Sequence, residues 1–257
     1  MTKNNQNKRL IALDFDGVII DSIEECFQVS KEVYYGFSQF PFDEDLYKNL
    51  FFEFRGLVGP ACEYLALHKI LEKSFINDDD INKNSYEQIK LEIDQDTFDC
   101  FEYLFFSTRT YYQKTNFHKW IELNPITDFG KNLISRSNKN VFIVTTKNRI
   151  ATEALLSHYN ISVESIYTND EIKELGSKGK LISHLIDQEK ANEAYFIDDS
   201  VFHLETVNDN RIKCFFADWG YGEIGEKKDS FIEELRLEDI EKIFNEFVRG
   251  DFYGKKY

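Results

Sequence analysis

Apolar positions along this chain change their period twice. Residues Ile11 to Ser22 read I-A-L-D-F-D-G-V-I-I-D-S, an apolar strand-like run that ends in Asp14 and Asp16 before Gly17. From residue 22 to about 122 the β-branched runs vanish, and Phe, Tyr, Leu and Glu recur at helical spacing. This predicts helices over residues 22–37, 43–54, 60–75, 79–91 and 94–115, with Pro41 and Gly59-Pro60 as breaks. The dense aromatics of this stretch fall on helix faces, so they are expected to pack a helical unit rather than line a cofactor box. The acidic run Asp78 to Asp80 reads as a solvated helix start.

Beyond Pro125 short apolar runs alternate with helical patterns. Strands are expected at 140–145, 163–168, 194–198 and 212–217, and helices at 127–138, 148–159, 178–188, 200–208 and 237–247. Short buried strands separated by helices predict an α/β fold with a parallel sheet covered on both faces. In such sheets ligands gather outside the carboxyl ends of the strands. The organisation expected is a core of residues 1–21 and 123–257 with a helical insertion, 22–122, directly after the first strand.

Composition narrows the class. The chain has 257 residues, 42% of them hydrophobic, enough for one large or two modest cores. Its formal net charge of −15 repels nucleic acid and anionic membranes, so any anionic ligand needs a local positive site. Cys26, Cys62, Cys100 and Cys214 show no metal-binding spacing and are expected as reduced, buried thiols of a cytoplasmic protein. The polar start predicts a short disordered leader, with neither signal peptide nor membrane span.

The strand ends carry the candidate chemistry. Two carboxylates ending an apolar strand call for a cation, because burying an unpartnered charge is costly. Alternation along the strand puts Asp14 and Asp16 on one side, and Gly17 permits the turn that follows. An Asp-x-Asp-Gly stretch also serves calcium loops and plain strand-to-turn junctions. The calcium spacing fails here, since Val18, Ile19 and Ile20 stand where further oxygen ligands belong. Thr145-Thr146 ends a second strand, where a hydroxyl beside backbone N–H groups suits either a phosphoryl oxygen or a helix N-cap. Ser177-Lys178-Gly179-Lys180 opens a helix, where a lysine opposes the dipole and is either paired with an anion or solvated. Tyr195 to Ser200 is another buried strand ending in paired carboxylates, Asp198 and Asp199, which again asks for a cation between them.

Taken in order, D-F-D-G-V at 14–18, T-T-K at 145–147, the lysine of S-K-G-K at 177–180 and F-I-D-D-S at 196–200 resemble the haloacid dehalogenase superfamily, phosphatase branch. W-G-Y-G at 219–222 adds to the likeness, and the helical insertion after the first motif is similar to the family's first cap type, as in phosphoglycolate phosphatases and β-phosphoglucomutases. The resemblance spans residues 9 to about 222, with the cap matched by position and helicity only. It implies a Rossmann-like doubly wound parallel core and hydrolysis of a phosphomonoester on a small metabolite, in a monomer or homodimer. Asp14 is then the nucleophile that forms an aspartyl-phosphate, and Asp16 the general acid and later base, its proton affinity raised by neighbouring carboxylates. Thr145 and Lys178 bind the phosphoryl group. Asp14, the Asp16 backbone carbonyl and Asp198 hold Mg2+, while Asp199 is a ligand or an anchor for Lys178. Lys180 competes with Lys178 for its role, but the Gly179-Leu181 register favours Lys178.

Asp16 argues against a dehalogenase, which needs no leaving-group proton. A sugar-phosphate mutase of the same superfamily keeps both carboxylates and remains an alternative, as does a catalytically silent binding protein. Arg55, in the loop Arg55-Gly56-Leu57-Val58-Gly59, is the candidate specificity residue for an anionic substrate group, or else an exposed turn arginine. His68, His118, His158, His184 and His203 are expected to be structural or exposed rather than ligands.

Overall fold

A computed structural model describes residues 8–38, 44–77, 80–134, 138–223 and 231–239. Six described strands form one parallel sheet: β1 (Arg9–Leu13), β2 (Val141–Val144), β3 (Ser165–Tyr167), β4 (Glu193–Asp198), β5 (Ile212–Ala217) and β6 (Ile232–Leu235). Their order is β3-β2-β1-β4-β5-β6, with every pair parallel. From β1 the chain winds outward through β2 to β3, then crosses back to place β4 on the other side of β1. The crevice between β1 and β4 is therefore where the winding reverses, and such reversals open a ligand cleft at the strand ends.

The unbroken apolar runs of the central strands follow from burial on both faces. Ile11, Leu13, Val141, Ile143, Tyr195 and Ile197 face one layer, against Trp120, Phe129 and Leu155. The alternate residues Leu10, Ala12, Phe142, Val144, Ala194 and Phe196 face the other, against Leu181, Leu185 and Ile186. Full burial of each large apolar side chain contributes about 1.5–3 kcal/mol, so both layers stabilise the central strands.

Between β1 and β2 lie α1 (Ile23–Tyr34), α2 (Glu44–Glu53), α3 (Tyr64–Asn77), α4 (Lys83–Leu91), α5 (Gln95–Thr115), α6 (Phe117–Glu122) and α7 (Asp128–Lys131), with short 3-10 turns at Arg55–Leu57 and Ala61–Glu63. Helices α1 to α5 have an apolar cluster of their own, rich in the aromatics noted in the sequence. Tyr64 stacks on Phe51 and Phe105 at centroid distances of 5.7 and 5.3 Å, so these rings pack against one another within that cluster. The connections among the later strands are α8 (Arg149–His158), α9 (Asn169–Leu175), α10 (Lys178–Glu189) and α11 (Val201–Glu205). No described helix is long and apolar enough to cross a membrane.

Several expectations need correction. The helix expected at 127–138 is the four-residue α7, and the strand expected at 163–168 is the three residues of β3. Helix α9 was unexpected, although Thr168 and Glu171 form a capping box at its start and Gly176 ends it in the left-handed conformation at φ 90°. Strand β6 was also missed: Ile232 and Leu235 are buried and the two glutamates between them exposed, which is not a period-2 pattern. Of the helix expected at 237–247 only the 3-10 turn Leu237–Asp239 is described, and the remainder, like the leader, Pro41, Asp78 and Asp79, lies outside the described residues. Of the four cysteines, all free, Cys26 and Cys214 are buried as expected, whereas Cys62 is half-buried and Cys100 exposed.

Candidate active site

Each strand end delivers one component. Asp14 follows β1 directly, held there by its N–H donating to the Ile197 carbonyl at 2.9 Å, while Asp198 is the last residue of β4. Both are buried. Ser177 caps α10 by accepting from the Lys180 N–H, which turns Lys178 inward and Lys180 out to solvent. The Lys178 ammonium lies 2.9 Å from Asp14 Oδ1 and 2.8 Å from Asp198 Oδ2, so the competition between the two lysines ends with Lys178 at these carboxylates. Gly179 lets the start of α10 pack against Thr206 at the end of α11, since a Cβ there would lie 2.6 Å from the Thr206 carbonyl oxygen.

Asp199 points the other way. It makes no bond to Lys178; the Tyr221 N–H donates to its Oδ2 at 2.7 Å. Glycines wall it in: a Cβ on Gly17, whose φ is 80°, would sit 2.1 Å from Asp199 Oδ2, and one on Gly220 2.1 Å from Asp199 Cβ. The Gly-x-Gly of W-G-Y-G thus lets a loop close over this carboxyl.

Three buried carboxyls share the crevice, and their proton affinities diverge. Burial pushes Asp198 up, but the Lys178 ammonium and His203 outweigh it and hold it at about 2. For Asp199, burial and the neighbouring Asp198 and Asp14 outweigh the Tyr221 N–H and the Arg55 guanidinium and push it up to about 8. Asp14 is raised, chiefly by burial, with Lys178 opposing. Asp16 corrects an expectation. Burial acts to raise it, but Lys147 and Arg109 prevail, and its carboxyl is held below the usual range. Lys147 was legible only as the third residue of T-T-K; its ammonium lies 2.9 Å from Asp16 Oδ1.

Above these groups a small cavity, partly open to solvent, is lined from the sheet side by Asp14, Asp16, Thr146, Asp199, Ser200 and His203. From the helical side it is lined by Arg55, Gly56, Val58 and Gly59, and from the last loop by Tyr221 and Gly222. Thr146 borders the space, whereas Thr145 is buried beneath it, its Oγ1 accepting the Lys147 N–H at 3.1 Å. Arg55 is not an exposed turn arginine. Its guanidinium sits 5.0 Å from the Tyr64 ring and 5.1 Å from the Tyr221 ring, joining the helical layer to the sheet. His203, expected to be structural or exposed, stands beside these carboxylates: its Nδ1 lies 3.2 Å from Asp198 Oδ2, and Asp14, Asp198 and His203 each bring a donor atom to within 4.8 Å of the others. His203 is five positions from Asp198, and the first turn of α11 brings them together.

The donor set fits a hard divalent cation. Two buried carboxylates lie a few ångströms apart, and Asp14 Oδ1, although ion-paired with Lys178, lacks an aligned hydrogen bond and keeps lone-pair capacity.

No protein-family model matches the sequence, and no curated protein does. Solved structures match over nearly the whole chain. A haloacid dehalogenase-like hydrolase from Streptococcus pneumoniae superposes with a TM-score of 0.61 at 16% identity, over 93% of this chain and 98% of that one. A Haemophilus somnus protein described as a predicted phosphoglycolate phosphatase gives 0.60 at 16% identity, over 94% and 100%. A protein from Clostridium acetobutylicum described as a predicted phosphatase gives 0.57 at 16% identity, over 92% and 98%. With sheet order, strand-end carboxylates and these superpositions in agreement, the chain has the fold of the haloacid dehalogenase-like hydrolases.

Proposed function

We propose that the protein is a Mg2+-dependent phosphomonoesterase acting on a small phosphorylated metabolite, with residues 1–21 and 123–257 as catalytic core and 22–122 as cap. The observation that carries this reading is Lys178 bridging Asp14 and Asp198 at 2.9 and 2.8 Å beneath a cleft that Asp14, Asp16 and Arg55 line. Such an arrangement supplies a nucleophile, a fixed cation for the transferring phosphoryl group and carboxylates for a metal.

In this reading an Asp14 oxygen attacks phosphorus as the bond to the leaving oxygen breaks, and Asp16 delivers a proton to that oxygen. Water then attacks the aspartyl-phosphate, giving its proton to Asp16 and releasing phosphate and the Asp14 carboxylate. Lys147 keeps Asp16 ionised at rest, the form that the second step needs. Arrival of a phosphate dianion beside Asp16 raises its proton affinity, which favours the form needed first. Asp14, Asp198 and the Asp16 carbonyl are the groups to hold Mg2+, which when bound offsets phosphoryl charge. Thr145 and its neighbour Thr146 are assigned to the phosphoryl oxygens, and Arg55 to an anionic group elsewhere on the substrate.

The test is phosphate release from an aryl phosphate with and without Mg2+, for wild type and Asp14→Asn. Metal-dependent release by the wild type that disappears in Asp14→Asn is expected. Release that survives this substitution, or a wild type silent on every monoester offered, overturns the reading.

A further inference from the structure

One buried pair of charges beside the cavity, Glu25 and Arg109, has no part in the steps above. Arg109, on α5, grips Glu25, on α1, through both arms of its fork: Nε donates to Oε1 at 2.7 Å and Nη2 to Oε2 at 2.8 Å. Trp120 Nε1 donates to the same Oε1 at 3.3 Å, and Arg109 Nη1 to Asn148 Oδ1 at 3.2 Å. Glu25 Oε2 in turn lies 3.9 Å from the Lys147 ammonium, which donates to Asp16 Oδ1 at 2.9 Å and Oδ2 at 3.3 Å. The row reads Arg109, Glu25, Lys147, Asp16, with charges alternating. Side-chain exposure is 2% for Arg109 and 0% for both Glu25 and Lys147, and only Asp16, at 16%, reaches the cavity.

Stability does not explain such a row. Each buried ion costs several kcal/mol of desolvation, and apolar residues of similar volume serve a core as well or better. What the row provides is geometry. Asp16 and Lys147 belong to loops at the ends of β1 and β2, Glu25 and Arg109 to the helical layer, so a group at the reacting centre is oriented from the helical side. Lys147 has a long flexible stem, and Glu25 is the second anion that fixes its ammonium in a dry site.

We propose that Glu25 and Arg109 are positioning residues: they hold Lys147 against Asp16 so that the Asp16 carboxyl edge is aimed at the oxygen between phosphorus and the leaving group. The inference rests on the phosphatase reading and adds to it residues that touch no substrate. Loss of either residue should therefore damage proton delivery to the leaving group and leave attack by Asp14 largely intact.

Leaving-group dependence separates this role from a general loss of structure. Turnover of a p-nitrophenyl ester, whose leaving oxygen needs little protonation, is compared with that of a phenethyl ester, whose alkoxide needs it fully. Asp16→Asn sets the scale, since loss of general-acid help costs about 100-fold or more on the demanding ester. Glu25→Gln is expected to lower kcat/KM, which excludes the later hydrolysis step that Asp16 also serves, at least about tenfold more for the phenethyl ester than for the nitrophenyl ester, within the range of such effects. Combined with Asp16→Asn it should add nothing to that ratio, and Glu25→Asp should recover part of it. If Glu25→Gln does not fold, Arg109→Lys, which keeps the charge and loses the fork, is read in the same way. Equal losses on the two esters, an unchanged ratio, or additivity with Asp16→Asn overturns the inference while the phosphatase reading stands. A wild type inactive on both esters overturns that reading and the inference with it.

Discussion

Lys178 and Lys180 lie two residues apart and meet opposite environments, because the Ser177 cap fixes the rotation of α10. Lys178→Ala leaves Asp14 and Asp198 buried without their cation. Breaking a buried pair in this way costs about 3–5 kcal/mol, and phosphate release should disappear with it. Lys180→Ala changes an exposed side chain and should shift the melting temperature and kcat little; the reverse pattern in a steady-state assay would reassign the lysine. Gly17 is the other residue on which the site depends, because its φ of 80° and the 2.1 Å approach to Asp199 Oδ2 both exclude a side chain. Gly17→Ala should lose at least about 1–3 kcal/mol from backbone strain, read by denaturant unfolding, before the clash with Asp199 is counted.

At the scale of elements, helices α1, α2 and α3 meet around a histidine. His68 is buried between Tyr34 and Tyr47, with ring centroids 4.9 and 5.7 Å away, its Nδ1 bonded to the Tyr47 hydroxyl and its Nε2 2.8 Å from Ser30 Oγ. Burial, with Lys31 nearby, pulls it down to about 3, so it stays neutral in the folded protein. The unfolded chain binds this proton below about pH 6.5, so the contribution is complete above that pH and is lost as pH falls toward 3, at about 1.4 kcal/mol per unit. Unfolding free energies at pH 7 and 5 should therefore differ by about 2 kcal/mol more in the wild type than in His68→Gln. Equal pH dependence in the two proteins would exclude His68 as the cause. The elements that escaped the sequence reading fail for related reasons. Strand β6 is an edge strand that buries only its first and last residues, and β3, half-exposed on the opposite edge, buries too little to set its own length.

The whole molecule is joined at the cavity, where Arg55 stacks between Tyr64 of the helical layer and Tyr221 of the last loop. Tyr221 also ties that loop to the chain leaving β1, its hydroxyl accepting the Ser22 N–H at 2.6 Å and donating to Asp21 at 3.0 Å. Arg55→Ala should raise KM for the true anionic substrate much more than for a small aryl phosphate; parallel losses on both would assign Arg55 to holding the two layers together. The sequence by itself determined the α/β class, the helical insertion and the strand-end carboxylates Asp14, Asp16, Asp198 and Asp199, and narrowed the lysine to Lys178 or Lys180. Each is legible because a charge that interrupts an apolar run, or a lysine set against a helix dipole, conflicts with its immediate neighbours, and that conflict is written locally. Tertiary structure alone decided the partners. Arg109 and Glu25 are 84 positions apart and Lys147 and Asp16 131, with nothing unusual in the residues around Glu25 or Arg109 to mark them. The divergence of the carboxyls followed from that pairing, because proton affinity in a dry crevice depends on which cation stands within a few ångströms.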